Sequence, residues 1–188
     1  GRTAIYAFII VALSEELAKF IFLRGYLFGK PDFNEPFDGI VYAVMVGMGF
    51  AAFENVVYVA QGGFEVGVLR MFTAVPAHAS FGIIMGYYVG RAKFDTRNKN
   101  QLLAKGLFWA VFAHGAYDFF LMQERFEALG IMAFIVLIVS IQFSRQAIEI
   151  HQNASPFHPD NVNDNEFLVN NGESNFPTMD QEEDEKIG

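Results

Sequence analysis

Four apolar stretches of this chain, each near the length of a membrane span, carry ionisable residues in their interiors: Glu15 with Glu16, Glu54, His78, and His114 with Asp118. A charged group near the centre of a spanning helix costs about 2.5 to 3.5 kcal/mol on insertion scales, so such groups on separate helices persist where they face one another or a wet cavity. The pattern restricts the chain to an all-α, polytopic bundle with a polar interior. It points to a reactive centre inside the bilayer.

About 20 mostly apolar residues cross the hydrocarbon core. Five segments come close, at 4–28, 38–61, 66–90, 102–122 and 128–144. Pro31, Asn34 and Pro36 break the chain after the first, Gln61-Gly62-Gly63 after the second, the polar run 91–100 after the third and 123–127 after the fourth. With 53% hydrophobic residues and 22 Phe, one membrane domain over residues 1–150 is expected. Those residues carry 12 acidic and 12 basic side chains, whereas the last 38 carry 9 acidic and one basic, so the whole formal charge of −8 belongs to 151–188. That polar stretch, with scattered Phe, cannot bury enough apolar area to offset its ordering entropy, and a disordered tail is expected.

Arg24 and Lys30 flank the first loop, and Arg91, Lys93, Arg97, Lys99 and Lys105 crowd the third. The second loop has neither Lys nor Arg, and the fourth has only Arg125. The positive-inside rule therefore puts the odd loops and the acidic tail in the cytoplasm. The opening Gly-Arg-Thr reads as a cut or processed product, and a preceding helix in the full-length protein would supply this topology. There is no Cys, so disulfides, thiolate metal sites and cysteine nucleophiles are excluded. Nothing in the chain points to nucleic acid.

Counted from the outer ends at 1.5 Å per residue, Glu15 lies roughly 16 Å deep, Glu54 roughly 10 Å, His78 roughly 18 Å and His114 roughly 14 Å. They share one layer and can meet in one cavity. Lys19 is four residues from Glu15 and offers it a cation, while Glu16, turned about 100° away, either contacts another helix or stays protonated. Asp118 is four residues from His114 and can hold one imidazole nitrogen. Gly47, Gly49, Ala51 and Ala52 before Glu54, and Gly82 and Gly86 after His78, allow close helix approach. Arg70 reads as interfacial snorkelling, and His151 and His158 as tail residues outside the chemistry. The bland alternatives are a structural charge cluster of Glu15, Glu16 and Lys19, a hydrogen-bonded Glu54-Asn55 pair, and satisfied interhelical histidines.

No His-Glu-x-x-His, Gly-x-Ser-x-Gly or Glu-x-x-His occurs. Tyr117-Asp118 lacks a Gly-x-Gly-Asp partner, since Gly47-Met48-Gly49 is followed by Phe50. What remains is water activation by Glu, with His as polarising group or metal ligand. A proton- or ion-coupled transporter, without visible internal repeats, and a non-enzymatic immunity- or chaperone-type membrane protein are the competing readings.

Ser14-Glu15-Glu16-Leu17-Ala18-Lys19, Phe50-Ala51-Ala52-Phe53-Glu54-Asn55, His78 with Gly82, and His114-Gly115-Ala116-Tyr117-Asp118 resemble, in order and spacing, the motifs of the PrsW-type intramembrane proteases. These share a clan with the CAAX-prenyl endopeptidases and related bacterial immunity proteins. The resemblance spans about residues 10–120. It implies a multi-pass cell-membrane peptidase that cleaves membrane-anchored proteins, the namesake acting on an anti-sigma factor. It implies catalytic roles for Glu15, Glu16, Glu54, His78 and His114, with Lys19, Asn55 and Asp118 in support. The family is labelled a metalloprotease, so His78, His114 and Glu54 are candidate zinc ligands. The prenyl-endopeptidase relatives resemble metal-free glutamate enzymes instead, and there a His stands at the position of Glu54.

Overall fold

The computed structural model describes residues 1–123 and 129–161, and residues 1–153 form one compact unit. Residues 154–161 belong to a separate short unit, in which the Ser155 carbonyl accepts the His158 amide at 3.1 Å. The expected disordered tail from residue 162 onward, and most of the expected 123–127 break, lie outside the described residues. Every regular element among the described residues is helical.

Residues 2–27 form one helical rod, α1, in which α-helical Arg2–Ile5 and Leu13–Phe22 alternate with π-helical Tyr6–Ala12 and Leu23–Leu27. Ser14 Oγ donates to the carbonyl of Val11 at 2.9 Å and contacts that of Ile10. Such back-bonding competes with the helical ladder, and widened turns of this kind recur beside functional residues. Glu15 and Glu16 follow immediately.

Helix α2, Pro36–Gly62, starts on a reciprocal cap: Asp38 Oδ2 accepts the amides of Asn34 at 2.8 Å and Glu35 at 3.0 Å, and Pro36 takes a position whose N–H would be orphaned. It ends at Gly63, whose φ of 86° suits glycine. The expected helix 66–90 is in fact two, α3 (Phe64–Phe72) and α4 (Ala74–Phe94), broken at Thr73 with φ −122° and ψ −71°. Pro76 explains the break. It has no N–H to continue an incoming helix, but in the first turn of a new one that donor is not needed. Helix α5 is Lys99–Leu121 and α6 is Gly130–Asn153. The last helix outruns the expected 128–144 because Ala147, Ile148 and Ile150 continue the apolar stripe against Ile40 and Tyr87. His151 is therefore not a tail residue: it is buried in α6 with its ring stacked 4.6 Å from that of Tyr87.

Helix α4 is the central element, buried along its length from Ala77 through Phe81 and Met85 to Val89. Its glycines set the spacing to α2. A Cβ on Gly86 would lie 2.5 Å from the Gly39 carbonyl oxygen, and one on Gly82 would lie 3.0 Å from that of Ala43. Only small residues permit this approach, which lays the His78 turn of α4 against α2.

Helix α2, the α3–α4 pair and α6 are each long and apolar enough to cross a membrane. Helices α1 and α5 pack in the same bundle, their apolar character diluted by Glu15, Glu16 and Lys19 in one and by Lys99, Lys105, His114 and Asp118 in the other. The outward faces of all five remain greasy, with Ile9, Ile21, Met45, Phe53, Phe72, Phe108 and Ile138 exposed. A surface of that kind suits lipid rather than water.

Candidate active site

Glu16, on α1, is fully buried, and its Oε1 accepts from Lys19 Nζ at 2.7 Å and from His114 Nδ1 at 2.8 Å. Lys19 Nζ also lies 3.1 Å from His78 Nδ1 and 3.7 Å from Glu15 Oε2. The expected Glu15–Lys19 pair exists, but the shorter bond goes to Glu16, the carboxylate turned toward the neighbouring helices. An ammonium group only donates, so His78 Nδ1 accepts and its proton resides on Nε2. That nitrogen faces Glu54 Oε2 at 3.0 Å. His114 Nδ1–H donates to Glu16, and His114 Nε2 lies 3.3 Å from Asp118 Oδ2, as the four-residue spacing implies. Phe81 stacks on the His114 ring at 5.1 Å, and the two imidazoles meet edge to face at 5.1 Å.

Four helices thus bring the sequence-selected acids and imidazoles into one cluster. Glu15, Glu54, His78, His114 and Asp118 line a cavity of about 540 Å³ that also reaches Tyr58, Tyr117 and Phe134. Glu16 and Lys19 stand behind its wall. The two adjacent glutamates are therefore unequal: one meets the cavity, the other anchors the rings that line it.

Asn55 does not enter. Its Nδ2 donates to the Gly67 carbonyl at 3.2 Å and ties α2 to α3. Arg70, expected at the interface, instead reaches Glu54 Oε2 at 2.8 Å and covers the Tyr58 ring at 3.8 Å. A signal for it was present: Glu54 and Arg70 stand nearly equidistant from the Gly62-Gly63 turn, so an antiparallel hairpin of α2 and α3 sets them opposite each other.

The spacing of the donors suits a divalent metal ion, which His78 can ligate only once the proton leaves its Nε2. One oxygen of Glu15 and one nitrogen each of His78 and His114 lie within 4.8 Å of one another, and Glu15 Oε2 is buried without a hydrogen-bond partner. A two-histidine, one-glutamate set is a familiar catalytic zinc environment. The Glu16–His114 bond is the outer-shell contact that orients such a ligand. Glu54, the expected third ligand, stands outside this group, with Oε2 already shared by His78 and Arg70.

Residues 1–142 match the model of the family described as PrsW family intramembrane metalloprotease. The chain belongs to the PrsW family. It is 38% identical over 119 residues to "Protease PrsW" of Geobacillus kaustophilus, covering 63% of this chain and 53% of that protein. It is 38% identical over 141 residues to the protein of the same name from Oceanobacillus iheyensis, covering 75% of this chain and 66% of the relative. For that of Bacillus subtilis the figure is 34% over 122 residues, 64% of this chain and 56% of the relative. The chain thus spans between about half and two thirds of these relatives. No solved structure matches it. Family membership and the apolar helices together make this a multi-pass membrane protein.

Proposed function

We propose that the chain forms the catalytic bundle of an intramembrane endopeptidase that hydrolyses a membrane-anchored protein. The observation that carries this reading is the placement of Glu15 at a cavity wall, with nitrogens of His78 and His114 within 4.8 Å in the same chamber. A water held by the polar groups of this pocket would lie beside Glu15, so a peptide bond admitted there would meet both its nucleophile and its base.

Glu15 takes a proton from a water whose oxygen attacks the scissile carbonyl carbon. The carbonyl oxygen becomes an oxyanion that accepts a hydrogen bond from the Nε2–H of His78, which turns to it from Glu54, with the His114 ring alongside. As the tetrahedral carbon collapses, the C–N bond breaks and Glu15 returns the proton to the leaving nitrogen. Glu16, Lys19 and Asp118 hold the two rings in place, and Arg70 with His78 fixes Glu54. Glu15, His78 and His114 are the residues that would hold a zinc ion, which would supply Lewis acidity and a more acidic water in place of the base and donor roles described for Glu15 and His78. The substrate class this reading favours is a single-pass regulatory protein of the anti-sigma-factor kind, cut in the outer half of the membrane, with the acidic tail inside.

Co-expression with a panel of tagged single-pass membrane proteins tests this. The unaltered chain is expected to yield cleavage products, and Glu15→Gln and His114→Ala to yield none while still accumulating in the membrane. Wild-type cleavage by Glu15→Gln sinks the proposal. Metal content of the purified protein, with and without chelator, decides whether the ion takes part.

A further inference from the structure

At the end of α4 away from the site, three cations from three helices converge on one buried ring. Arg24 Cζ from α1 lies 4.3 Å from the Phe28 centroid, Lys99 Nζ from α5 at 5.0 Å and Lys93 Nζ from α4 at 5.8 Å. No two of them are then farther apart than about one Debye length, ~10 Å at 0.1 M salt, so their repulsion is not screened away. Lys99 adds to the cost by opening α5, at the positive end of that helix's dipole.

Among the described residues, no carboxylate forms an ion pair with Arg24, Lys93 or Lys99. The acids nearby hydrogen-bond to backbone rather than to these cations, although Asp38 lies within electrostatic reach of Lys93. Asp38 caps α2 through the amides of Asn34 and Glu35, and Asp95 accepts the amides of Arg97 and Asn98, each at 2.9 Å. Lys93 is held by the Lys30 carbonyl at 3.0 Å, so it stays in the cluster rather than swinging into solvent. Around the cluster the surface is aromatic and exposed, with Phe22, Tyr26 and Phe94 uncovered and Lys30 lying 4.0 Å over Tyr26. Exposed aromatic rings beside cations mark the headgroup level of a bilayer.

We propose that Arg24, Lys93 and Lys99 form a binding site for the phosphate of an anionic phospholipid, whose acyl chains lie along the apolar helix faces below. The site is separate from the catalytic chamber: Lys93 is 15 residues from His78 on α4, about 22 Å along the helix. The flanking aromatic girdle favours a lipid over a soluble phosphate, since a free ion gains nothing from it. A cation at a membrane surface strengthens binding of an anionic headgroup about five-fold, so loss of two is expected to weaken it about 25-fold.

The test uses the full chain in nanodiscs of mixed phosphatidylglycerol and phosphatidylcholine, with retained lipid counted by native mass spectrometry after gentle detergent extraction. Phosphatidylglycerol is expected to be retained in preference to phosphatidylcholine by the unaltered protein. Arg24→Gln with Lys99→Gln should lose that preference. Arg97→Gln with Lys105→Gln, which removes the same charge outside the cluster, should keep it. Equal retention of both lipids by the unaltered protein overturns the proposal even if a variant fails to fold. Equal loss in the two double variants also overturns it, as a diffuse positive field. Displacement of phosphatidylglycerol by millimolar inorganic phosphate would overturn the lipid assignment in favour of a free-phosphate site.

Discussion

Lys19→Met removes an ammonium but keeps the length and greasiness of the side chain. Lys19 is 3% exposed and Glu16 fully buried, and their bond at 2.7 Å is the shortest ion pair in the cluster. Removing one partner of a buried pair costs about 3 to 5 kcal/mol, because the survivor is left charged and undercompensated. Here Glu16 Oε1 retains the His114 Nδ1–H, while its Oε2 already lacks a partner, so the lower end applies. About 3 kcal/mol in a chain of this size corresponds to a fall of about 6 to 12 °C in Tm. Glu16→Gln alone should also destabilise, since it strands the ammonium. The double variant strands neither charge and should be more stable than the sum of the two losses, with a coupling of about 2 to 3 kcal/mol. Thermal unfolding of detergent-solubilised protein measures all four corners of the cycle. Lys19→Met also frees His78 Nδ1 from an obligatory donor, so its proton can migrate from Nε2; nitrogen-15 spectra of labelled histidine would show the change, and cleavage should drop about 10- to 100-fold. Additive stability losses, or an unchanged imidazole spectrum, would refute the buried pair as the device that orients the rings.

Glu15→Gln should reduce peptide cleavage by at least about 100- to 10,000-fold, the usual worth of a positioned base, with little change in Tm. Arg70→Gln is expected to lower cleavage about ten-fold and to be nearly silent in a Glu54→Gln background, because the guanidinium acts through that carboxylate; additive kinetics would contradict the link. Gly86→Leu should prevent accumulation of folded protein, since even a Cβ there would lie 2.5 Å from the Gly39 carbonyl oxygen; normal yield and Tm would show that α2 and α4 can part. The backbone amide and side chain of Asn98, with a smaller share from the Arg97 amide, hold the Asp95 carboxyl below its usual range. Its contribution is thus complete at neutral pH and lost as pH falls below the unfolded value, and Asp95→Asn should flatten that acid limb in a pH series of Tm.

The helices were legible because apolar runs of spanning length leave few alternatives, and four of them bore the acids and imidazoles that the structure gathers in one cluster. Depth alone put Glu15, Glu54, His78 and His114 in one layer, because counting along a helix fixes height closely even where α1 includes π-helical turns. What resisted was direction and local breakage. Arg70 has a long stem that can snorkel outward or turn inward with equal ease, and only the α2–α3 hairpin settles which. The split at Thr73 turned on Pro76, which opens a helix as readily as it ends one. The helix through His151 is masked in the sequence because polar Arg145, Gln146 and Glu149 lower hydropathy without interrupting the buried stripe. Nor could spacing tell which of Glu15 and Glu16 meets the cavity, since that depends on how α1 seats against α5, where Gly115 makes room for the Phe8 ring.

That seating explains why two adjacent glutamates are useful where one would appear to suffice. A carboxylate sealed from water cannot deprotonate it, yet it can fix two imidazoles through a single oxygen, as Glu16 does with His114 directly and with His78 by way of Lys19. A carboxylate at the cavity wall can act on water, but it is poorly placed to reach behind the rings and hold them. Because consecutive residues on a helix diverge by about 100°, the pair serves both layers from one turn of α1. Exchanging the two environments is therefore not possible by swapping side chains. Glu16→Asp should retract the anchoring oxygen from both His114 and Lys19 and lower activity although the cavity-facing carboxylate, the proposed base, is untouched. Full activity in that variant, with Glu15→Asp equally active, would mean that the layering carries no chemistry.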